Sequence, residues 1–467
     1  PNTYDDVGVN STLRDGRDVW EIVGQHNKKV VVVNTPLTYP PRPVNGFLVC
    51  GFMAPGPEYG FTYPSSLSAD IKRRIPNYRI GTAPSYIKSL YLKELNNTVQ
   101  MVGDAAVYLL KQIDWDFAFI VFKETDEVQH SFYDRPGSML TLYQRVDQIA
   151  GKLVALAGDN SHIFVVSDHG GEPINKQFNV VEYLRRSGFI RLNYTAPRKS
   201  TSILRLGAKT MLDLRLQWLL DVPGARKLLG QLMALRWRST QSDGDDGFYG
   251  GKIDWDKTTA FISSGIGLRI NLKGREPQGC IDEADFVVIR DNIAEQLAGV
   301  RDPQTGSTVF EYALPKEKVL SGPHLADAPD IVCLPNTGYL PTEALTSFDP
   351  IAAKVDQQSL FSKSSVWCGT HSPRGIVAIA GPGIKQSRIE GAKLDDIAPS
   401  ILYAMNLPIP RDMDGRVLSE VFEPEILKAN PITWDSEEVT NEQSTYYLSP
   451  EEESKIEERL KALGYLS

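Results

Sequence analysis

The segment His162–Glu172 reads HIFVVSDHGGE, an apolar run that leads directly into an Asp-His pair and two glycines. A short apolar run bounded by turn residues predicts a buried strand, parallel to its neighbours. In open α/β sheets the chemistry collects at the carboxyl ends of strands, so Asp168 and His169 are predicted to project there. An adjacent carboxylate and imidazole suit a divalent metal such as zinc. Taken alone, the pair fits equally well a helix N-cap aspartate beside a solvated histidine.

The composition limits the class of protein. The chain has 467 residues, 42% of them hydrophobic, and a formal net charge of -8. This length is ample for a large core, and the acidic balance argues against binding to nucleic-acid polymers. The cysteines lie far apart, which indicates neither a disulfide framework nor a cysteine zinc site. Scattered thiols fit a reducing compartment, so we expect a cytoplasmic protein, and no apolar run is long enough to span a membrane.

A second segment repeats the arrangement upstream. Asp116–Phe122 (DFAFIVF) predicts another buried strand, which is followed by Asp126 and His130. Because these two residues lie four apart, one helical turn would place both on the same face, where they can reach one metal. The alternative is an exposed acidic turn with an incidental histidine. A helix predicted over Leu140–Leu156 separates the two strands, which gives the spacing of a βαβ unit.

A third segment, Gly369–Arg374 (GTHSPR), places His371 just before a strand predicted over Gly375–Ala380. A histidine in that position reaches the sheet edge used by Asp168 only if the strand runs antiparallel to its neighbours, and we predict that it does. Together the segments predict an α/β fold with a mostly parallel central sheet flanked by helices, and with an α+β insertion.

The pattern changes along the chain in a way that predicts its domains. Residues 1–178 and 340–430 are predicted to form the α/β core, residues 179–339 an α+β insertion, and residues 431–467 a C-terminal tail and helix. Within the insertion, residues 197–240 are locally basic, which fits a cap that attracts an anionic substrate or a membrane-surface helix. We favour a solvated helical insertion whose apolar stripe packs on the core. Residues 39–64, rich in Pro and Gly, are predicted to form a long structured loop.

Five potential ligands come from these three segments: Asp126, His130, Asp168, His169 and His371. Their order, T-D-x-x-x-H, then S-D-H-G, then G-T-H-S-P-x-G, resembles the alkaline phosphatase superfamily, and most of all its type I phosphodiesterase/nucleotide pyrophosphatase branch. V-N-T-P-L-T-Y-P-P near the start and D-I-A-P-S-I-L after the last histidine extend the resemblance over essentially the whole chain. The resemblance implies two divalent metal ions, zinc with manganese as the alternative. It implies that Asp126, His130 and His371 bind one ion, and that Asp168 and His169 bind the other.

The resemblance also implies the activity, which is hydrolysis of phosphate diesters or nucleotide pyrophosphates, both small anionic substrates. A Thr or Ser oxygen attacks phosphorus and forms a covalent intermediate, which water then hydrolyses. The family begins with a strand that ends in a further metal-binding Asp, and the nucleophile follows some tens of residues later. Neither feature precedes the helix predicted at Asp18–Gln25. We therefore expect both in a segment upstream of Pro1, and expect this chain by itself to be inactive.

Three other functions stay open. Sulfatases use a modified Cys or Ser in the motif C/S-x-P-x-R. None of the cysteines of this chain occurs in such a motif. Cofactor-independent phosphoglycerate mutases share the metal ligands but need further ligands that are not evident here. A non-catalytic, metal-binding pseudo-enzyme is the third alternative. The upstream coding sequence would discriminate, because a strand ending in Asp and followed by a Thr or Ser motif supports the enzyme.

Overall fold

The computed structural model describes residues 4, 9–85, 87–193, 253–264, 267–342, 360–363, 367–435 and 446–463. They divide into two compact units. The larger unit comprises Val7–Gln177, Thr337–Leu340 and Lys363–Ser467, and the smaller unit comprises Pro1–Asp6, Phe178–Asn336 and Pro341–Ser362. The predicted basic helical segment at 197–240 lies outside the described residues, and the domain boundaries drawn from the sequence stay a prediction.

The helices are α1 (Val19–Gln25), α2 (Leu67–Arg74), α3 (Lys88–Leu110), α4 (Glu124–Phe132), α5 (Pro136–Ala157), α6 (Val180–Arg186), α7 (Glu283–Ala298), α8 (Ile397–Ala404), α9 (Pro424–Ala429) and α10 (Pro450–Leu463). The strands are β1 (Val30–Thr35), β2 (Gly46–Cys50), β3 (Thr62–Tyr63), β4 (Phe117–Ile120), β5 (Ile163–Val166), β6 (Gly170–Pro173), β7 (Lys176–Asn179), β8 (Ala260–Ser264), β9 (Gly267–Ile270), β10 (Phe310–Pro315), β11 (Ile331–Pro335), β12 (Tyr339–Thr342), β13 (Phe361–Ser362), β14 (Gly369–Ser372), β15 (Val377–Ala380), β16 (Ile409–Pro410) and β17 (Trp434–Asp435). The α/β class predicted from the sequence is confirmed.

The largest sheet of the larger unit has the strand order β3-β2-β1-β4. Its strand β1 begins with four buried valines and pairs in parallel with both β2 and β4. Valine favours strands because its branched side chain packs well on a pleated surface, and a strand that is apolar on both faces needs cover on both. Strand β2 lies within residues 39–64, so the prediction of a loop there was wrong in this part. Flanking prolines and glycines concealed the apolar run GFLVC.

Strand β5 also differs from its prediction. Among the described residues it pairs with β15 alone, in antiparallel register. Val165 and Val166 are 50% and 37% exposed. The expectation of a buried parallel strand was therefore wrong, whereas the expectation of an antiparallel strand after His371 is confirmed by β15. Strands β6 and β14 form another antiparallel pair.

Helices α3, α4 and α5 pack together through a cluster of buried apolar side chains that includes Leu95, Val128 and Leu142. The contact between α3 and α5 is close at Gly103, where an added Cβ would lie 2.6 Å from Ile149 Cγ2. The helix predicted over Leu140–Leu156 is confirmed by α5.

The smaller unit contains an antiparallel sheet in the order β10-β11-β9-β8, against which α7 buries Ile293 and Leu297. Asp330 is fully buried beside β11, and Arg275 donates hydrogen bonds of 2.8 and 2.6 Å to its two oxygens. A buried carboxylate needs such a partner, because an isolated buried charge is costly. No described helix is both long and apolar enough to cross a membrane.

Candidate metal centre

Helix α4 carries the first two candidate ligands. It begins a few residues after β4, and its first turn is acidic, which suits the positive end of a helix dipole. Asp126 and His130 lie one turn apart, and His130 Nε2 is 3.1 Å from Asp126 Oδ1. The two potential ligands, which are four residues apart in the sequence, are therefore in direct contact.

Strand β14 brings His371 to the same place. A Cβ added to Gly369 would lie 2.3 Å from the carbonyl oxygen of Gln129, so only glycine allows this close approach of β14 to α4. As a result His371 Nε2 lies 3.1 Å from Asp126 Oδ1 and 3.0 Å from His130 Nε2. Two segments that are more than two hundred residues apart in the sequence meet here.

His169 joins the cluster from the end of β5. Its Nε2 is 3.8 Å from Asp126 Oδ1, and its ring stacks on His371 with the ring centroids 3.8 Å apart. The potential ligand atoms of Asp126, His169 and His371 all lie within 4.8 Å of one another. Three imidazoles and one carboxylate thus converge from three segments of the chain, and these are donor types that zinc prefers.

Backbone carbonyl groups orient two of the rings. Nδ1 of His130 lies 2.9 Å from the carbonyl oxygen of Gly369, and Nδ1 of His169 lies 2.9 Å from that of Gly170. When Nδ1–H donates to the carbonyl, Nε2 carries the lone pair that faces the cluster. Metal-binding histidines are commonly fixed in this way, because the outer hydrogen bond sets both tautomer and ring orientation.

Asp126 is the charged centre of the cluster. Burial opposes ionisation of its carboxyl group, but the contacts with His130 and His371 outweigh burial and hold the pKa of Asp126 well below its usual value. Lys123 Nζ lies 3.7 Å from its second oxygen. The cluster therefore offers an ionised oxygen together with imidazole nitrogens, a donor set that fits a divalent cation.

Asp168 lies at the edge of this cluster and is not part of it. Its side chain is 78% exposed, and its Oδ1 lies 3.7 Å from His169 Nε2. For a second ion, the described residues thus provide two ligands, Asp168 and His169. A tetrahedral zinc site uses more protein ligands than two.

Two neighbours of the cluster were not singled out in the sequence. Trp367 packs on His130, with the ring centroids 4.6 Å apart. Lys123 Nζ lies 2.8 Å from Glu127 Oε1 and contacts Asp126, as noted above. Both residues are adjacent to the motifs quoted above: Lys123 precedes E-T-D, and Trp367 precedes C-G-T-H. This proximity to the motifs was the sequence signal that could have identified them.

Glu124 is a third residue that sequence reasoning missed. It is completely buried, and neither carboxyl oxygen has a hydrogen-bond partner among the described residues. Burial, and after it the charge of Glu127, raises the pKa of Glu124 to about 8. A glutamate in the first turn of a helix is normally exposed, so nothing in the sequence marks this one as buried.

Comparison with known proteins assigns the family. The family model for type I phosphodiesterase / nucleotide pyrophosphatase matches residues 2–349. The chain belongs to this family. The resemblance inferred from the motifs is thereby confirmed, and the family is one of phosphoryl-transfer hydrolases within the alkaline phosphatase superfamily. A comparison with curated proteins found no match.

Two solved structures are similar to this family member, both of phosphonoacetate hydrolase from Sinorhizobium meliloti 1021. The complex with phosphonoacetate has 14% sequence identity and a TM-score of 0.43, and the match covers 79% of this chain and 69% of that chain. The complex with phosphonoformate has 13% identity and a TM-score of 0.42, with the same coverage. At these TM-scores the likeness adds nothing to the assignment of the site.

Proposed function

We propose that the full-length protein is a metal-dependent hydrolase of phosphate diesters or nucleotide pyrophosphates. The observation that carries this proposal is the convergence of Asp126, His130, His169 and His371 within one cluster. Membership of the type I phosphodiesterase/nucleotide pyrophosphatase family supports phosphate-ester hydrolysis, and the preference for diesters and pyrophosphates comes from the family alone.

The proposed cofactors are two divalent metal ions, zinc or manganese. Asp126, His130 and His371 would hold the first ion, and Asp168 and His169 would take part in holding the second. When bound, such ions supply Lewis acids that polarise phosphoryl oxygens and stabilise developing charge. The chain's own groups prepare the site, because the carbonyls of Gly369 and Gly170 orient His130 and His169.

The nucleophile is proposed to be a Thr or Ser upstream of Pro1, together with a further ligand of the second ion. The substrate is proposed to be a small anionic phosphate ester, and a cytoplasmic location stays a prediction.

The test is hydrolysis of bis(4-nitrophenyl) phosphate by the full-length protein. Release of nitrophenolate should depend on metal, cease when a chelator removes it, and return with added zinc or manganese. Asp126→Asn should lower kcat/KM by at least about 1,000-fold, because residues that act as a unit lose most of the rate when one is removed. Asp159→Asn is the matched control, since Asp159 is an exposed aspartate between α5 and β5 and should leave the rate unchanged.

Two outcomes would contradict the proposal. A full-length protein that retains its metal but hydrolyses neither phosphate esters nor sulfate esters would support the metal-binding pseudo-enzyme. Hydrolysis of sulfate esters alone would support the sulfatase branch.

A further inference from the structure

Lys123 lies at the N-terminal end of α4, one turn before the aspartate at the centre of the cluster. Its Nζ is 2.8 Å from Glu127 Oε1 and 3.7 Å from Asp126 Oδ2. Residues three and four positions apart on a helix are neighbours, so one lysine reaches both carboxylates. The side chain of Lys123 is only 10% exposed, and that of Glu127 only 3%. The helix dipole opposes a cation at this end of a helix, and a buried ion pair is costly to desolvate, so stability alone does not account for the lysine.

The surroundings of Lys123 fix the position of its ammonium group. Phe52, in the loop after β2, presents its ring to Nζ, with 4.5 Å from Nζ to the ring centroid. Glu127 is held in turn by Tyr91 of α3, whose hydroxyl group donates to it a hydrogen bond of 3.0 Å. The cation–π contact and the buried carboxylate thus restrict the lysine from two sides. The ammonium group is therefore a well-fixed neighbour of Asp126, and Glu127 balances its charge.

The two carboxyl oxygens of Asp126 have different neighbours. Oδ1 lies 3.1 Å from Nε2 of both His130 and His371. It lies 3.8 Å from Nε2 of His169. Oδ2, in contrast, faces the ammonium group of Lys123. A metal ion held among the imidazoles would therefore meet Oδ1, whereas Oδ2 is directed toward another cation.

We propose that Lys123 is a positioning residue, which holds Oδ2 of Asp126 and so limits this carboxylate to one oxygen ligand for the first metal ion. The inference rests on the proposed function, because it concerns an ion of the proposed metal centre. One carboxylate oxygen and a few imidazole nitrogens form the small ligand set of a tetrahedral zinc site. Manganese prefers more ligands, mainly oxygens, and would gain from a carboxylate that binds through both of them. Lys123 therefore favours zinc over manganese at this site.

The test is the affinity of this chain for zinc and for manganese, measured by competition with a metal indicator. In Lys123→Met the ratio of zinc affinity to manganese affinity should fall at least roughly tenfold, because Oδ2 becomes available as a further oxygen ligand. Both ions carry the same charge, so a lost lysine charge or a general loosening of the site changes both affinities alike and leaves their ratio unchanged. Lys123→Arg keeps a cation beside Oδ2 and should keep most of the ratio. Lys152→Met, at an exposed lysine of α5, is the matched control and should change neither affinity.

Cobalt gives an independent measurement, because the visible absorption of bound cobalt(II) weakens as its coordination number rises. Cobalt-loaded Lys123→Met should absorb at least roughly twofold less strongly than the cobalt-loaded unmutated chain. A double variant, Lys123→Met with Glu127→Met, replaces both partners of the buried pair and leaves neither charge unpaired, should the single variant fail to fold. Its ratio of zinc to manganese affinity should fall in the same way.

An unchanged ratio in folded Lys123→Met or in the double variant would overturn the proposal and leave Lys123 as a structural partner of Glu127. A ratio in Lys123→Arg as low as that in Lys123→Met would also count against it, because the cation would then be irrelevant. If the ratio falls as expected but the full-length protein hydrolyses nothing, the proposed function fails and the role of Lys123 is supported. Absence of tight metal binding in the unmutated chain would reject both.

Discussion

Two buried glutamates on α4 differ in their hydrogen-bond partners, and these partners decide how a buried carboxyl group affects stability. Glu127 accepts hydrogen bonds from Tyr91 Oη at 3.0 Å and Lys123 Nζ at 2.8 Å. Glu124, one turn earlier, is equally buried and has no partner among the described residues. Because desolvation of a carboxyl group is costly unless hydrogen bonds replace water, the two residues should contribute to stability with opposite sign.

We therefore expect Glu124→Met to raise the free energy of unfolding by about 1–3 kcal/mol, because it removes an unpaired buried group of similar volume. Glu127→Met should lower it by about 3 kcal/mol, because it leaves Lys123 without its closest partner. Urea denaturation at pH 7 in the presence of a chelator measures both effects without a contribution from metal binding. A stability loss in Glu124→Met as large as that in Glu127→Met would mean that Glu124 has a partner of its own.

At the scale of residues, the sequence was informative where local geometry decides the outcome. Asp126 and His130 could be paired because four residues make about one helical turn. The orientation of His130 could not be predicted, since it depends on the carbonyl of Gly369, which lies far away in the sequence. The burial of Glu124 was equally hidden, because it results from tertiary packing.

Among the elements, the C-terminal helix α10 is fixed by a network at its first turn. Glu452 is buried, and it accepts hydrogen bonds from the hydroxyl groups of Tyr39 and Tyr446. Ser449 and Glu452 also form a capping box, with 2.7 Å from Ser449 N to Glu452 Oε2. One carboxylate thus caps the helix and joins it to the loop before β2.

Glu452→Ala should release α10 locally. The change leaves two hydroxyl groups unpaired and removes half of the capping box, at a cost of about 2 kcal/mol, which corresponds to roughly 30-fold faster amide exchange in the helix. Exchange across Pro450–Leu463 measures the effect. Glu453→Ala, an exposed position in the same turn, is the control and should leave exchange unchanged. Unchanged exchange in Glu452→Ala would show that α10 is held by its apolar face instead.

Elements were predictable where their periodicity was long and uninterrupted. The 22 residues of α5 gave a clear pattern. Strand β2 was missed because it is short and lies between proline-rich turns. The burial of β5 was overestimated, since an apolar run shows that a strand can be buried but not which neighbours are present to cover it.

For the whole molecule, the two proposed metal ions differ in how many ligands this chain supplies. Asp126, His130 and His371 are in mutual contact, whereas Asp168 is exposed and only His169 accompanies it. The first ion therefore needs no ligand from another segment. The second ion has Asp168 and His169 among the described residues, and it is expected to need further ligands.

We accordingly expect this chain to bind one zinc or manganese ion at least roughly tenfold more tightly than a second. The affinity of a site for its metal falls substantially when a ligand, or a group that orients a ligand, is missing. The full-length protein should bind two ions tightly and hydrolyse bis(4-nitrophenyl) phosphate, whereas this chain should show no measurable turnover. His371→Ala should remove the tight ion, and His324→Ala, an exposed histidine of the smaller unit, should not. Elemental analysis after gel filtration and competition with a metal indicator measure the stoichiometry and the affinity. Two equally tight ions in this chain would show that Asp168 and His169 find their remaining ligands within it, and metal-dependent hydrolysis by this chain would place the nucleophile within it as well.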